Sequence, residues 1–515
     1  MKMMVLDYLN LAAEATPDKT AIICGEQRLS YKQLDQLSEK ISIGLKNLGV
    51  VPGEKIAIYM DKSLLAVISI YAILKTECCY VPISPDSPWS RVTGILNNCV
   101  IQHLLIDDQL NHETQTLFHN AKVNTVSARQ LLETINTTRQ SVLTRPGANG
   151  TDPAAILHTS GSTGVPKGAV ITQKNLAVFV SWAISAFDLD ADDRLLSHAP
   201  LQFDLSFFDL FAAVAASATV VLATPADTVN ASRMAQLVND TGVTIWQSVP
   251  SALTLQVVSN STYKQPEIMP NVRCVLFAGE RMPRQTVLNI PTLFPNADFY
   301  NIYGCTETNN TFMYQLPADV SKAPDPLPLG KVLPHIQHRI VDEYGVNVSP
   351  GTKGHLLVAG ETMMIGYIGL DEAGISIYNN SNCINGFYQT NDIVSVENDG
   401  NVYFHGRLDN VIKSNGYRIN LMEIEDQLWQ SGKFVEVAVL CEADDLIGNR
   451  IIAVLRPESE HTCSVLDLKI YCAQTLPKYA IPHSFYFSST VLPKSSTGKI
   501  DKHQVAQLWQ SAVGY

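Results

Sequence analysis

The densest chemistry in this 515-residue chain lies at Leu157-His158-Thr159-Ser160-Gly161-Ser162-Thr163-Gly164-Val165-Pro166-Lys167-Gly168. Glycines let the backbone take positive φ and approach a ligand closely. Successive N–H groups and hydroxyls then form a nest for an anion, with Lys167 as a mobile positive charge. The string is not a Walker A loop, whose lysine directly follows the second glycine and precedes Ser or Thr. Here Val165-Pro166 intervene and Gly168 takes the hydroxyl position. A second group is Asp204, a carboxylate amid Phe203, Leu205, Phe207 and Phe208. An unpaired buried carboxylate is costly, so either a cation meets Asp204 or it caps the helix-like run that follows. The third is Asn301-Ile302-Tyr303-Gly304-Cys305-Thr306-Glu307-Thr308, an amide, an aromatic plane, hydroxyls and a carboxylate within a few residues. Such a set could hold a nucleotide base and a metal-bound phosphate, or serve only as a structural turn. Lys499, beside Gly498 near the end, is by position alone a solvated charge.

These groups need a scaffold, and the patterning supplies one. Short apolar runs such as Ile56-Ala57-Ile58, Leu104-Leu105-Ile106, Val220-Val221-Leu222 and Val275-Leu276-Phe277 alternate with helical segments. Strands alternating with helices imply a mostly parallel sheet covered on both faces. Ser30 is placed to cap a helix carrying Leu34, Leu37, Ile41 and Leu45 at helical spacing. From about residue 328 to 408 short strands with Gly and Pro turns predict a small β subdomain. The last hundred or so residues read as a separate α+β unit. Composition agrees: 46% hydrophobic and 17% charged residues are those of a globular chain long enough for two or more domains. A net charge of −12 argues against a nucleic-acid surface. No apolar run of about 18 residues predicts a membrane span, and Asp7 interrupts any signal-like start. Ten cysteines without C-x-x-C spacing point to reduced thiols and a cytoplasmic protein.

In order along the chain, the strings resemble the signatures of the adenylate-forming superfamily, and specifically of amino-acid adenylation domains such as those of nonribosomal peptide synthetases. Leu29 to Leu34 resembles the first signature and Leu74 to Ile83 the second, with Cys78-Cys79 where Gly-Ala is usual. The 159–168 loop, Phe203-Asp204-Leu205-Ser206 and Asn301 to Glu307 follow, Cys305 replacing proline. Gly354 to Tyr367 carries His355 for Glu, and Tyr388-Gln389-Thr390-Asn391-Asp392 carries Asn391 for Gly. Gly406-Arg407-Leu408-Asp409 through Ile419, Leu476 to Pro482 and Pro493 to Lys499 complete the series.

The resemblance implies a large N-terminal domain, 1–408, of two mixed or parallel sheets flanked by helices, with the β subdomain at its end. A mobile C-terminal α+β domain, 409–515, would be hinged at Asp409 and carry Lys499. It also implies an ATP- and Mg²⁺-dependent ligase. Thr159, Ser160, Gly161, Ser162, Thr163, Gly164 and Lys167 would hold the departing phosphates, Glu307 the metal, and Thr306 the α-phosphate. Tyr303 would lie against adenine, with Asn301 and the Ala278-Gly279 backbone at its edge and Glu280, Ile302, Gly304, Cys305 and Phe404 nearby. Asp392, helped by Arg407, would accept the ribose hydroxyls, and Lys499 would contact the substrate carboxylate. Asp204 would pair the α-ammonium of an amino acid in a pocket of Leu205, Phe208, Gln247, Leu276, Ala278, Ile302, Asn310 and Thr311. That lining lacks a second charge, so it implies a small or medium neutral amino acid, with proline and alanine first. With no carrier motif beyond Lys499, the aminoacyl group is expected to pass to the phosphopantetheine thiol of a separate carrier protein. D-alanine–carrier and prolyl–carrier ligases are similar in layout. An acyl-CoA synthetase and a non-catalytic nucleotide sensor are the alternatives.

Overall fold

The computed structural model describes residues 4–107, 112–134, 150–159, 167–262, 267–370, 376–380, 382–457, 464–494 and 500–513. The helix Tyr31–Asn47 begins at Ser30 as expected. Ser30 Oγ accepts from Gln33 N at 3.2 Å, and the Gln33 side-chain oxygen accepts from Ser30 N at 2.8 Å. These are the reciprocal bonds of a capping box. Leu34, Ile41 and Leu45 fall on its buried face, while Leu37 packs at the cluster's edge.

Two large sheets organise residues up to 406. Among the described residues one has eight strands. Its strands Lys55–Tyr59, Cys79–Ile83, His103–Ile106 and Asn124–Ser127 pair in parallel. The second has nine strands. Thr20–Cys24, Thr219–Leu222, Arg194–Ser197, Ile245–Ser248, Cys274–Ala278 and Asp298–Cys305 form its parallel run. Gln27–Ser30 adds antiparallel at one edge, and Asn309–Gln315 and Lys331–Val332 at the other. Because successive strand residues point to opposite faces, Leu276 and Ile302 enter one core cluster while Val275, Phe277 and Trp246 enter another. Phe277 is 1% exposed, and truncation to Ala there costs about 3–5 kcal/mol.

The small β subdomain is a five-stranded sheet among the described residues, built from Ile336–Val341, Gly354–Gly360, Cys383–Ile384, Phe387–Val396 and Val402–Arg407. The chain leaves it midway. Gly366–Leu370 pairs antiparallel with Lys167–Thr172 of the eight-stranded sheet and brings Ser376–Asn379 with it. The last unit has the expected α+β character. Phe434–Asp444, Gly448–Pro457 and Ser484–Phe487 form a three-stranded sheet. Helices Leu421–Gln430 and Val465–Thr475 contribute Ile424, Leu428, Leu468 and Cys472 to its core.

The described chain divides into two compact units, one of residues 1–85, 96–158 and 168–406, the other of 86–95, 159–167 and 407–515. No described helix is long and apolar enough to cross a membrane. The nine described cysteines are free thiols.

Candidate active site

Strand register aligns four of the residues expected to line the amino-acid pocket. Gln247 lies opposite Leu276, and Ala278 opposite Ile302, in parallel pairing. Leu276 and Ala278 are two apart on one strand, so all four side chains share one face. Gln247 is buried, and its Oε1 has no hydrogen-bond partner among the described residues. Phe208 joins the same apolar cluster. The Phe187 ring stands edge-on to Phe208 at 5.7 Å and to Tyr300 at 5.3 Å, making an aromatic flank. Thr311 is fully buried, its hydroxyl donating to the Tyr303 carbonyl at 3.1 Å, and the neighbouring Asn310 is half-buried.

Asp204 and Leu205 are half-buried at the start of an irregular helix. Asp204 already has helical backbone angles, φ −62° and ψ −21°, and its side chain makes no cap bond. A helix N-cap takes extended angles and bonds the following N–H groups, so the capping alternative does not hold. After one turn, Leu205–Phe207, the helix widens into a π turn over Phe208–Ala212 before Ala213–Ala215. The sequence gives no sign of this turn, and π turns are frequent at functional sites.

Thr306, Glu307 and Thr308 form the turn between strands Asp298–Cys305 and Asn309–Gln315. Gly304 is required there. A Cβ on it would lie 2.0 Å from the Asn309 carbonyl oxygen, where the register shifts between Tyr303 and Gly304. The turn is tied down: Thr308 N donates to Cys305 O at 3.0 Å, and Met364 N to Glu307 O at 2.8 Å. Glu307 is wholly buried. Its Oε1 accepts from the Tyr367 hydroxyl at 2.5 Å, and Tyr367 and Tyr388 hydroxyls are 3.0 Å apart. The family resemblance gives neither tyrosine a site role, although both lie within its signatures.

Asp392 is buried in the Phe387–Val396 strand, and its carboxylate accepts the Tyr303 hydroxyl. Asn391 sits at φ +63°. Asn tolerates the left-handed region better than most residues, which accounts for its place where the family has glycine. Asn301 donates its side-chain amide to Pro328 O at 2.7 Å. Ala278 closes its strand and Gly279 turns at φ +98°. The Glu280 carboxylate accepts Ser251 N at 3.0 Å, at the start of helix Pro250–Thr262. Phe404 is exposed on its strand.

In the second unit, Arg407 grips Asp409 with two bonds, Nε to Oδ1 at 2.7 Å and Nη2 to Oδ2 at 2.8 Å. Thr159 Oγ1 lies 3.5 Å from the Lys167 carbonyl oxygen. Ser160, Gly161, Ser162, Thr163, Gly164 and Lys499 lie outside the described residues.

One charged group escaped the sequence reading. Lys62 Nζ donates to the carbonyls of Ser197, His198 and Ala199 at 2.6, 2.9 and 3.2 Å. Burial pulls its pKa down to about 8, against the opposing pull of Asp209. Burial likewise holds the Asp209 carboxyl well above the usual range, with Lys62 opposing. Desolvation and the Lys62 charge bring the half-buried His198 down to about 3 and keep it neutral, 2.8 Å from Ser248 Oγ. The available signal was a second aspartate in Phe203-Asp204-Leu205-Ser206-Phe207-Phe208-Asp209.

Known proteins resemble this chain over nearly its full length. The chain is 34% identical over 494 residues to the L-proline–[L-prolyl-carrier protein] ligase of Streptomyces coelicolor, covering 93% of this chain and 91% of that one. It is 29% identical over 526 residues to the D-alanine–D-alanyl carrier protein ligase of Bacillus licheniformis, covering 98% and 99%. The fold matches NpsA-ThdA, an artificially fused adenylation–PCP di-domain from Klebsiella oxytoca. That match has TM-score 0.79 and 22% identity, covering 100% of this chain and 97% of that one. The AMP-binding enzyme model matches residues 9–368, and the AMP-binding enzyme C-terminal domain model residues 423–499. With both models matched in order, the chain belongs to the AMP-binding enzyme family.

Proposed function

We propose that this chain is an amino acid–carrier protein ligase. It would activate a small or medium neutral amino acid with ATP and pass it to the phosphopantetheine thiol of a separate carrier protein. The observation that carries this reading is the one-faced register of Gln247, Leu276, Ala278 and Ile302. Leu276, Ala278 and Ile302 share an apolar cluster with Phe208, Gln247 adds a buried amide, and Asp204 would supply a carboxylate. A neutral side chain with an α-ammonium fits such a lining, whereas a charged side chain would be desolvated without a partner. The similarity to prolyl- and D-alanyl-carrier ligases over nearly the full chain supports the same reading and puts proline and alanine first.

In the first step a carboxylate oxygen of the amino acid attacks the α-phosphorus of ATP. The bond from α-phosphorus to the bridging oxygen breaks, and pyrophosphate leaves. In the second the carrier thiol gives its proton to water, sulfur bonds to the acyl carbon, the bond from that carbon to the phosphate oxygen breaks, and AMP leaves. Charge accumulates on the phosphoryl oxygens, so fixed donors and cations supply much of the rate. Thr306 and the 159–168 loop would act there, Tyr303 and Asp392 would fix the nucleoside, and Lys499 would meet the carboxylate. Mg²⁺ suits the donor set. Glu307 and Thr306 offer hard oxygen ligands, and Mg²⁺ is bound by one or two carboxylates together with phosphate oxygens and water. When bound it would neutralise phosphate charge. Asp409 would be the hinge for the C-terminal domain, and its bidentate pair with Arg407 gives that turn a fixed geometry.

A pyrophosphate-exchange panel with twenty amino acids tests this, followed by loading of holo-carrier against free coenzyme A. Exchange with neutral amino acids and loading of carrier are expected. A preference for lysine or glutamate, or activity with coenzyme A alone, would overturn it.

A further inference from the structure

Asp204 depends on the segment that delivers it, and that segment is held by a lysine distant in sequence. The strand Arg194–Ser197 ends at Ser197, and the chain then runs through His198, Ala199 and Pro200 to Asp204. All three carbonyls from Ser197 to Ala199 accept hydrogen bonds from Lys62 Nζ. An ammonium has three N–H donors, so these bonds use its full capacity. Lys62 directly precedes Ser63, the N-cap of the long buried helix Leu64–Lys75, which makes it a rigid anchor. Part of its stem is accessible, but its charge is enclosed.

The same ammonium faces Asp209, which lies in the π turn directly after Phe208. Asp209 is 1% exposed, and neither carboxylate oxygen has a hydrogen-bond partner by geometry among the described residues. The Lys62 charge opposes the effect of burial on that carboxyl. His198 extends the link by its 2.8 Å contact to Ser248, the residue after Gln247. One buried charge thus addresses three parts of the pocket: the lead-in to Asp204, the turn behind Phe208, and the strand end at Gln247.

We propose that Lys62, set against the buried Asp209 carboxyl, is a positioning residue for the amino-acid pocket that sets where Asp204 and Phe208 stand. It touches neither substrate nor ATP. The inference rests on the amino-acid pocket proposed above.

Three variants test it: Lys62→Met, Lys62→Met with Asp209→Asn, and Lys62→Arg. The double variant also removes the buried Asp209 carboxyl, which Lys62→Met alone would leave without its neighbouring ammonium. Pyrophosphate exchange reads the KM for amino acid and for ATP separately, and calorimetry reads AMP binding. Lys62→Met, or the double variant if the single one does not fold, is expected to raise the amino-acid KM about 10-fold, short of the roughly 10²-fold that a misplacement of about 1 Å can cost. ATP KM and AMP affinity should stay within twofold of wild type, and Lys62→Arg should recover part of the loss. Equal losses for both substrates, or an unchanged amino-acid KM, overturn the inference. Should only Lys62→Arg fold, a selective rise in its amino-acid KM supports the inference, and an unselective one overturns it. Wild-type protein without amino-acid-dependent exchange would instead refute the pocket reading itself.

Discussion

The Tyr367 hydroxyl donates to Glu307 Oε1 at 2.5 Å, across sixty residues of sequence and inside a fully buried pocket of oxygen atoms. Tyr388, 3.0 Å further on, completes a short chain of hydroxyls. A hydrogen bond to a charged group is worth about 1.5–3 kcal/mol, so the two tyrosines fix the carboxylate assigned to Mg²⁺. Tyr367→Phe keeps the ring and deletes the bond. We expect the Mg²⁺ concentration for half-maximal exchange to rise about 10-fold. A magnesium titration checks this, and an unchanged midpoint counts against the positioning of Glu307.

Asp204→Asn preserves shape and removes charge. If the carboxylate meets the α-ammonium, the amino-acid KM should rise about 10- to 100-fold, the worth of one charged hydrogen bond. ATP KM should hardly move. Exchange kinetics with each substrate varied in turn separate the two, and a proportional rise in both would remove Asp204 from the pocket.

Tyr303 and Asp392 form one unit, phenol to carboxylate. Asp392→Asn weakens the acceptor of the phenol and, if the proposed role holds, of the ribose hydroxyls. AMP affinity measured by calorimetry should fall about 10-fold or more, and the penalty for 2′-deoxy-AMP should shrink. Equal losses for AMP and its deoxy form would separate Asp392 from the ribose.

His198 makes acid stability measurable. Its folded pKa of about 3 lies below the ordinary value of 6.5, because burial and the Lys62 charge oppose protonation. The unfolded chain therefore binds a proton that the folded chain refuses between those values, and stability falls as pH drops through that window. One such group contributes about 1.4 kcal/mol per pH unit there. His198→Asn deletes the titration, so the acid limb of its Tm–pH curve should be shallower by that increment. Parallel curves would show that His198 is not held neutral.

Much of this was legible in the sequence, for physical reasons. Alternating apolar runs give the sheets, and Ser30 announces the start of the helix that carries Leu34, Ile41 and Leu45. Strand propensity does not say which sheet a strand joins, so Gly366–Leu370 could not be assigned away from the β subdomain. Lys62 and Asp209 were opaque for another reason. A charge inside an apolar run reveals that it needs a partner, but not which residue supplies it when the partner is far along the chain. The π turn was hidden because its residues are as apolar as those of an ordinary helix.

That turn over Phe208–Ala212 sets a rule for chain length. A π turn holds one residue more than regular winding needs, and each residue of an α-helix advances the azimuth by about 100°. Excising one residue there would restore regular winding and swing everything upstream, Leu205 and Asp204 included, around the helix relative to the buried half downstream. A conservative-looking one-codon deletion in this stretch would thus re-aim the carboxylate, whereas swapping one apolar side chain for another would leave its bearing intact.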